Sequence, residues 1–298
     1  MIISIDVGGT KIAAALVEDG VIVERVEIPS VLHQNLKTLP DVLLRLCRDW
    51  LGKADSLALA CTGQVAEDRV KFLGVGPDAE LCLHQQLEAS FELPVTIIND
   101  AAAAAWSEYI IGEYRETLVY ITVSTGVGGG MVQNGRLVTS YDGFCAHLGH
   151  VSVPQPDRHQ QACVCGRKNC VESITSGRAI ARQASEILGC SVSCKQVFEM
   201  HLSNPEVNDL IDRGAAALVE LIANIKAVTG TEVVVLGGSI GLSHEFSARV
   251  RSLLNRLPEI YKVKLLAPLS GANADLVGAA LYSQYLTQAG SKGDRVCR

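Results

Sequence analysis

The chain has 298 residues, of which 48% are hydrophobic and 19% charged, enough for two domains of ordinary size with substantial cores. Its net charge of −6 comes without a basic cluster, which speaks against nucleic acid and anionic membrane as partners. No apolar run approaches membrane-spanning length, and the chain opens straight into a strand without a basic, then apolar leader; a cytoplasmic protein is expected. In that setting the ten cysteines read as reduced thiols or metal ligands rather than disulfides.

In chain order, Met1 to Val17 reads as two strands around a glycine turn, and Gly20 to Glu27 as a third. Leu39 to Leu51 has helical spacing through Val42, Leu43, Leu46 and Trp50. Leu57 to Ala60 and Val95 to Ile98 are short buried strands, and Asp100 to Tyr109 is an alanine-rich helix. A second unit opens at Thr117 on the same plan: a strand from Leu118 to Val123, a glycine turn, a strand from Gly129 to Gln133, then Leu137. A loop rich in Cys, Pro and His runs from His147 to Cys170. Helical patterns follow over Ser176 to Leu188, Val192 to His201 and Val207 to Val228, then a buried strand from Thr231 to Leu236. The last helix, about 275–287, is expected to pack back on the first domain. These elements place an N-terminal α/β domain at 1–116, a C-terminal α/β domain at 117–274, and a polar, frayed tail at 288–298.

Two glycine runs carry the strongest chemical signal. Asp6-Val7-Gly8-Gly9-Thr10-Lys11 and Ser124-Thr125-Gly126-Val127-Gly128-Gly129-Gly130 each follow an apolar strand. Glycine there lets backbone N–H groups close on a bulky anion. Neither run is a Walker loop or a G-x-G-x-x-G fingerprint. A pair of tight hairpins explains one run better than both, whereas two loops in duplicated units suit the two ends of a polyphosphate. Duplicated α/β units of this kind describe an actin-like ATPase (ribonuclease H-like) fold with an interdomain cleft.

Asn99-Asp100 stand where a strand passes into a helix. Both residue types suit an N-cap. A carboxylate at a strand's C-terminal end also faces the region where open α/β sheets bind ligands, and phosphoryl transfer asks such a base mainly for positioning. Cys163, Cys165 and Cys170 with His150 match a closed, structural Zn²⁺ site; a disulfide would leave one of the three thiols unpaired. His147 and Glu172 flank that loop and read either as ordinary surface groups or as polar side chains presented rigidly to a polyol.

With these residues, together with Gly149-His150 and Gly237-Gly238-Ser239, the chain resembles the ROK family of repressors, open-reading-frame proteins and sugar kinases, over nearly its whole length and in family order. The stretches Ile97–Tyr109, Ile121–Gly130 and His147–His150 are most similar to the bacterial N-acetylmannosamine kinases of that family. The resemblance implies ATP-dependent phosphorylation of N-acetylmannosamine at its 6-hydroxyl, in sialic acid catabolism, by a homodimer. It makes Asp100 the catalytic base, puts Gly8, Gly9, Thr10 and Lys11 along the phosphates, and places Asp6 near Mg²⁺. Thr125, Gly126 and Gly128 become the second phosphate loop, and Gly238 approaches adenosine. Asn99, Asp100, His147, His150 and Glu172 form the sugar set, with His150 also on zinc. Two departures stand out: His147 replaces a glutamate common in the family's sugar kinases, and the segment from His150 to Cys163 is longer than usual. Gln64-Val65 and the stretch from Phe72 to Leu83 lack the family's sugar-contacting pattern, so no contacts carry over there. The alternatives are a kinase for glucose, fructose or N-acetylglucosamine, a sugar-sensing regulator, and a non-catalytic zinc-stabilised scaffold. The regulator lacks room for a DNA-binding module ahead of Asp6.

Overall fold

In a computed structural model of the chain, residues 1–72, 75–76, 79–156 and 159–291 are described. The first strand, β1 (Ile2–Val7), is buried at every position, and β2 (Lys11–Glu18) is exposed only at its two ends. Such unbroken apolar runs belong to strands covered on both faces. By contrast β3 (Val21–Pro29) is an edge strand carrying Glu24, Arg25 and Glu27, charges that discourage pairing with another chain. Helix α1 (Leu39–Cys47) gives way to a 3₁₀ stretch at Arg48–Lys53, so the helix expected to Leu51 is divided. Next come β4 (Ser56–Cys61), the short strands β5 (Gln64–Val65), β6 (Val70–Lys71) and β7 (Glu80–Leu81), helix α2 (Leu83–Phe91), β8 (Val95–Asn99) and α3 (Asp100–Ile111).

The plan then repeats. Strands β9 (Leu118–Val123), β10 (Val127–Gln133) and β11 (Arg136–Leu137) precede α4 (Val171–Thr175), α5 (Gly177–Leu188), α6 (Cys194–Gln196) and α7 (Pro205–Thr229). They are followed by β12 (Val233–Gly237), α8 (His244–Leu254), β13 (Lys264–Leu266) and α9 (Ala274–Ser291). Besides a small sheet β5-β6-β7, one five-stranded sheet is ordered β3-β2-β1-β4-β8 and the other β11-β10-β9-β12-β13. In both, the first central strand pairs antiparallel with its hairpin partner and parallel with the strand that returns later. The next connection in each sheet, β2 to β3 and β10 to β11, turns on two residues at positive φ, Asp19-Gly20 and Asn134-Gly135, the pairing that two-residue turns favour. The repeat seen faintly in sequence is thus a duplicated topology.

By internal contacts the chain forms two units: 1–113, 136–145 and 269 onward in the first, 114–135 and 146–268 in the second. The division falls at 113/114 where the sequence placed it at 116/117. Each unit has its own core: one built around Ile3, Ile5, Leu57 and Leu59, the other around Val119, Ile121, Leu218 and Val234. Helix α7 dominates the second core, capped by Asn204, with Pro205 in its first turn and Gly230 left-handed at its end. The expected helix Val192–His201 is instead the single turn α6 followed by a π turn at Val197–His201. Helices α2 and α8 add to the elements read from the sequence, each burying one short apolar row spaced i, i+4, i+8.

Helix α9 belongs to the first unit and lies along α3. Its Gly278 backs onto the carbonyl oxygen of Ala103, where any Cβ would collide with backbone. The alanine run of α3 and the Gly278-Ala279-Ala280 step of α9 are therefore what let the two helices approach. Trp106 closes the contact against Tyr282 and Tyr285, its ring centroid 5.5 and 4.8 Å from theirs. The helix continues to Ser291, so the tail expected from Gln288 is helical at its start, and 292–298, with Cys297, lie outside the described residues. Gly278→Ala should lower stability by roughly 1–3 kcal/mol, because overpacking against fixed backbone outweighs the ~1 kcal/mol that alanine gains in helix propensity. Thermal unfolding that showed a stabilised Gly278→Ala variant would overturn this account of the contact.

Candidate active site

The first unit gathers carboxylates at the ends of its central strands. Asp6 is the penultimate residue of β1, and Gly8 N donates to Lys11 O at 3.0 Å to make the turn into β2. A Cβ on Gly9 would meet nothing within 4 Å, so that backbone stands open to an approaching group. Thr10 is exposed, and Lys11 Nζ rests on Glu27 Oε2 at 3.3 Å. On the neighbouring strand end, Asn99 caps α3: its Oδ1 accepts from Ala101 N at 3.0 Å and Ala102 N at 3.2 Å. Its Nδ2 donates to Gly63 O at 3.0 Å, which locks the amide in orientation. Asp100, the first helical residue, accepts from Ala101 N at 2.8 Å. The cap and the carboxylate thus fall to different residues, as the pair suggested.

Asp275, which opens α9, is the member of this group that the sequence did not single out. Its only signal was an acid at the start of a helix. Its side chain hydrogen-bonds that of Asp6. Burial pushes the Asp6 carboxyl well above its usual range, and the nearby Asp275 and Asp100 charges push it further, with Lys11 working against the rise. Burial likewise raises Asp100 to about 6, opposed by the Ala101 N–H and reinforced by Asp275. The cluster is short of positive charge.

In the second unit the glycine loop between β9 and β10 is held from several sides. Ser124 N donates to Gly126 O at 2.9 Å, and Gly177 N at the start of α5 donates to Ser124 O at 2.7 Å. Glu172 Oε2 accepts from Val127 N at 3.0 Å, and a Cβ on Gly126 would lie 2.8 Å from that same oxygen. Gly126 is therefore glycine because the carboxylate occupies its side-chain space. Glu172, expected to meet a sugar, is in this structure a brace for the loop. Arg178 Nη2 stands 3.8 Å from Glu172 Oε1 and was also unremarked in the sequence. Gly128 lies on β10, and Gly238, at φ 83, follows β12 with the Val123 backbone where a Cβ would be.

The four expected metal ligands converge despite the long segment between them. The ligand atoms of His150, Cys163, Cys165 and Cys170 all lie within 4.8 Å of one another. His150 Nδ1 is 3.5 Å from Cys163 Sγ, and Cys165 Sγ is 3.6 Å from Cys170 Sγ. A tetrahedral zinc, with Zn–S about 2.3 Å and Zn–N about 2.0–2.1 Å, sets sulfur–nitrogen edges of about 3.5 Å and sulfur–sulfur edges of about 3.8 Å. The residues fit the ion. Arg167 Nη1 donates to His150 O at 3.1 Å and Ser152 Oγ to Lys168 O at 2.8 Å, bracing the loop around them. The His147 and His150 rings stack with centroids 6.3 Å apart. Cys170 directly precedes α4, which carries Glu172, so the metal loop and the glycine loop are joined through a few residues.

The pattern that defines the ROK family matches residues 2–285. An N-acetylmannosamine kinase of Escherichia coli (strain SMS-3-5 / SECEC) is 41% identical over 290 residues, covering 95% of this chain and 98% of its own. One from Vibrio vulnificus (strain YJ016) is 34% identical over 285 residues, covering 94% of this chain and 96% of its own. The crystal structure of a ROK hexokinase from Thermus thermophilus superposes with a TM-score of 0.78 at 27% identity, covering 96% of this chain and 99% of that one. The duplicated sheets are accordingly those of the actin-like ATPase fold.

The Asp100 carboxyl titrates near 3.8 in a free chain and near 6 here, so the folded protein holds the proton more tightly. Its contribution to stability is whole below about pH 4 and is lost as the pH rises through about 6. Because the group keeps some contact with solvent, its ionisation at neutral pH costs roughly 1–3 kcal/mol. Asp100→Asn should therefore melt higher than the parent near pH 7.5 without ligands and lose that advantage near pH 4. A Tm difference independent of pH would show that burial does not hold the proton.

Proposed function

This chain belongs to the ROK family, and from that premise we propose that it transfers the γ-phosphoryl group of ATP to the 6-hydroxyl of N-acetylmannosamine. The observation that carries the reading is Asp100: an enclosed carboxylate at a strand end, in a chain alike end to end to kinases of that sugar. Asp100 accepts the hydroxyl proton as the sugar oxygen attacks the γ-phosphorus. Phosphoryl transfer needs little base strength and much alignment, so a carboxylate fixed at a helix N-terminus suffices. Asn99, His147, His150 and Glu172 contact the sugar alongside Asp100. Gly8, Gly9, Thr10 and Lys11 receive one end of the triphosphate, Thr125, Gly126 and Gly128 the other, and Gly238 approaches the adenosine.

Asp6, whose buried carboxylate feels the charges of Asp275 and Asp100 against that of Lys11, would hold magnesium, which would supply positive charge to the phosphates. Zinc fits His150, Cys163, Cys165 and Cys170, and its chemistry is structural, since four protein ligands close the tetrahedron. Among the described residues no helix is long and apolar enough to cross a membrane. We place the enzyme in the cytoplasm, as a homodimer, in the catabolism of sialic acid.

The direct test is ADP release with MgATP against N-acetylmannosamine, N-acetylglucosamine, glucose, mannose and fructose. N-acetylmannosamine should be preferred and Asp100→Asn should abolish nearly all turnover while sugar binding persists; preference for glucose or fructose would overturn the substrate assignment. Because His150 serves both the metal and the sugar, stripping zinc should raise the KM for sugar ~10-fold or more and that for ATP far less. Equal increases in both would argue that the metal only holds the fold.

A further inference from the structure

Arg178 has no part in the roles assigned above, yet its position beside the second glycine loop is closely defined. It is the second residue of α5, and its backbone N donates to Thr125 O at 3.4 Å. Its Nη2 lies 3.9 Å from the point a Cβ on Gly126 would occupy, on the same ground as the Glu172 carboxylate. The space over Gly126 is thus bordered by one anion and one cation.

The ion pair with Glu172 explains little. It spans 3.8 Å, and the Arg178 side chain is 61% exposed, a combination that contributes about 0–1 kcal/mol. Glu172 already has a partner in Val127 N at 3.0 Å and does not need the guanidinium to stay satisfied. Removing Arg178 should therefore leave the fold intact. What Arg178 does offer is a permanent charge and a forked set of donors suited to phosphate oxygens, next to a loop of backbone N–H groups. The positive end of the twelve-residue α5 adds to the same field.

The geometry points to Arg178 as a further nucleotide-binding residue, donating to non-bridging oxygens of the phosphate chain of ATP and of product ADP. It rests on the assignment of Thr125, Gly126 and Gly128 as a phosphate loop. Glu172 is then a positioning residue that shapes the loop through Val127 N.

The test is titration calorimetry of the full-length, zinc-loaded protein with MgADP, adenosine and N-acetylmannosamine 6-phosphate, comparing Arg178→Ala and Arg178→Lys with the parent. Arg178→Ala should weaken MgADP at least 10-fold, leave adenosine and the Tm of the ligand-free protein unchanged, and be partly rescued by Arg178→Lys. In steady state its KM for ATP should rise while that for the sugar holds. Unchanged MgADP affinity, equal loss for adenosine, a fall in Tm, or a loss confined to the sugar phosphate would each overturn the assignment. Parent protein that binds MgADP through Arg178 but phosphorylates none of the sugars would remove the proposed substrate and leave this residue's role standing.

Discussion

The first unit depends on one contact between two backbones. Helix α9 can reach α3 only because Gly278 has no side chain to set against the Ala103 carbonyl. That approach fixes where both helices begin. Asp100 opens α3 and Asp275 opens α9, so the packing of two small-residue faces decides how near their carboxylates come to Asp6. Glu108 secures the same join. Fully buried, it accepts from Leu269 N and Ser270 N at 2.8 Å each, tying the chain's approach to α9 onto the far end of α3.

Asp6 and Asp100, raised by burial and by the charge of Asp275, oppose folding where they ionise. Native proteins keep such arrangements where an added cation or a reaction uses them. Under the proposed function a bound cation would supply the positive charge these carboxylates lack, and the backbone N–H groups of the second unit's glycine loop would meet phosphate oxygens. Glu172 gives that loop its shape and joins it, through α4, to Cys170 of the Cys/His cluster. A side chain that might have been read as a simple substrate contact thus has mechanical work as well.

Much of this was legible because it is local. Strand–glycine–strand recurrences, the Asn99 cap and the cysteine spacing each depend on residues a few positions apart, and the structure realises all three. Asp275 and Arg178 were not legible, because their meaning lies in neighbours distant in sequence: 269 residues separate Asp275 from Asp6. Glu172 was half legible. Its place after the metal loop was visible, but its bond to Val127 N crosses 45 residues. Helices α2 and α8 were missed for a different reason, being short elements whose buried residues are few: Leu83, Leu87 and Phe91 in one, Phe246, Val250 and Leu254 in the other.

The threading of α9 also sets an order on biosynthesis. The strands of the first unit leave the ribosome well before the helix that covers β1 and β4, which follows the whole second unit in the chain. The second unit, closed by residue 268, has its whole core available before α9 is translated. Domains ordinarily mature from the N-terminus during synthesis. In this chain the opening domain must wait, with Ile3, Leu57 and the alanine face of α3 lacking their final cover, until the closing helix emerges. Its nascent form is therefore the species with most to gain from a chaperone, and a chain that stopped between the last strand of the second unit and α9 would leave Asp6 and Asp100 without Asp275.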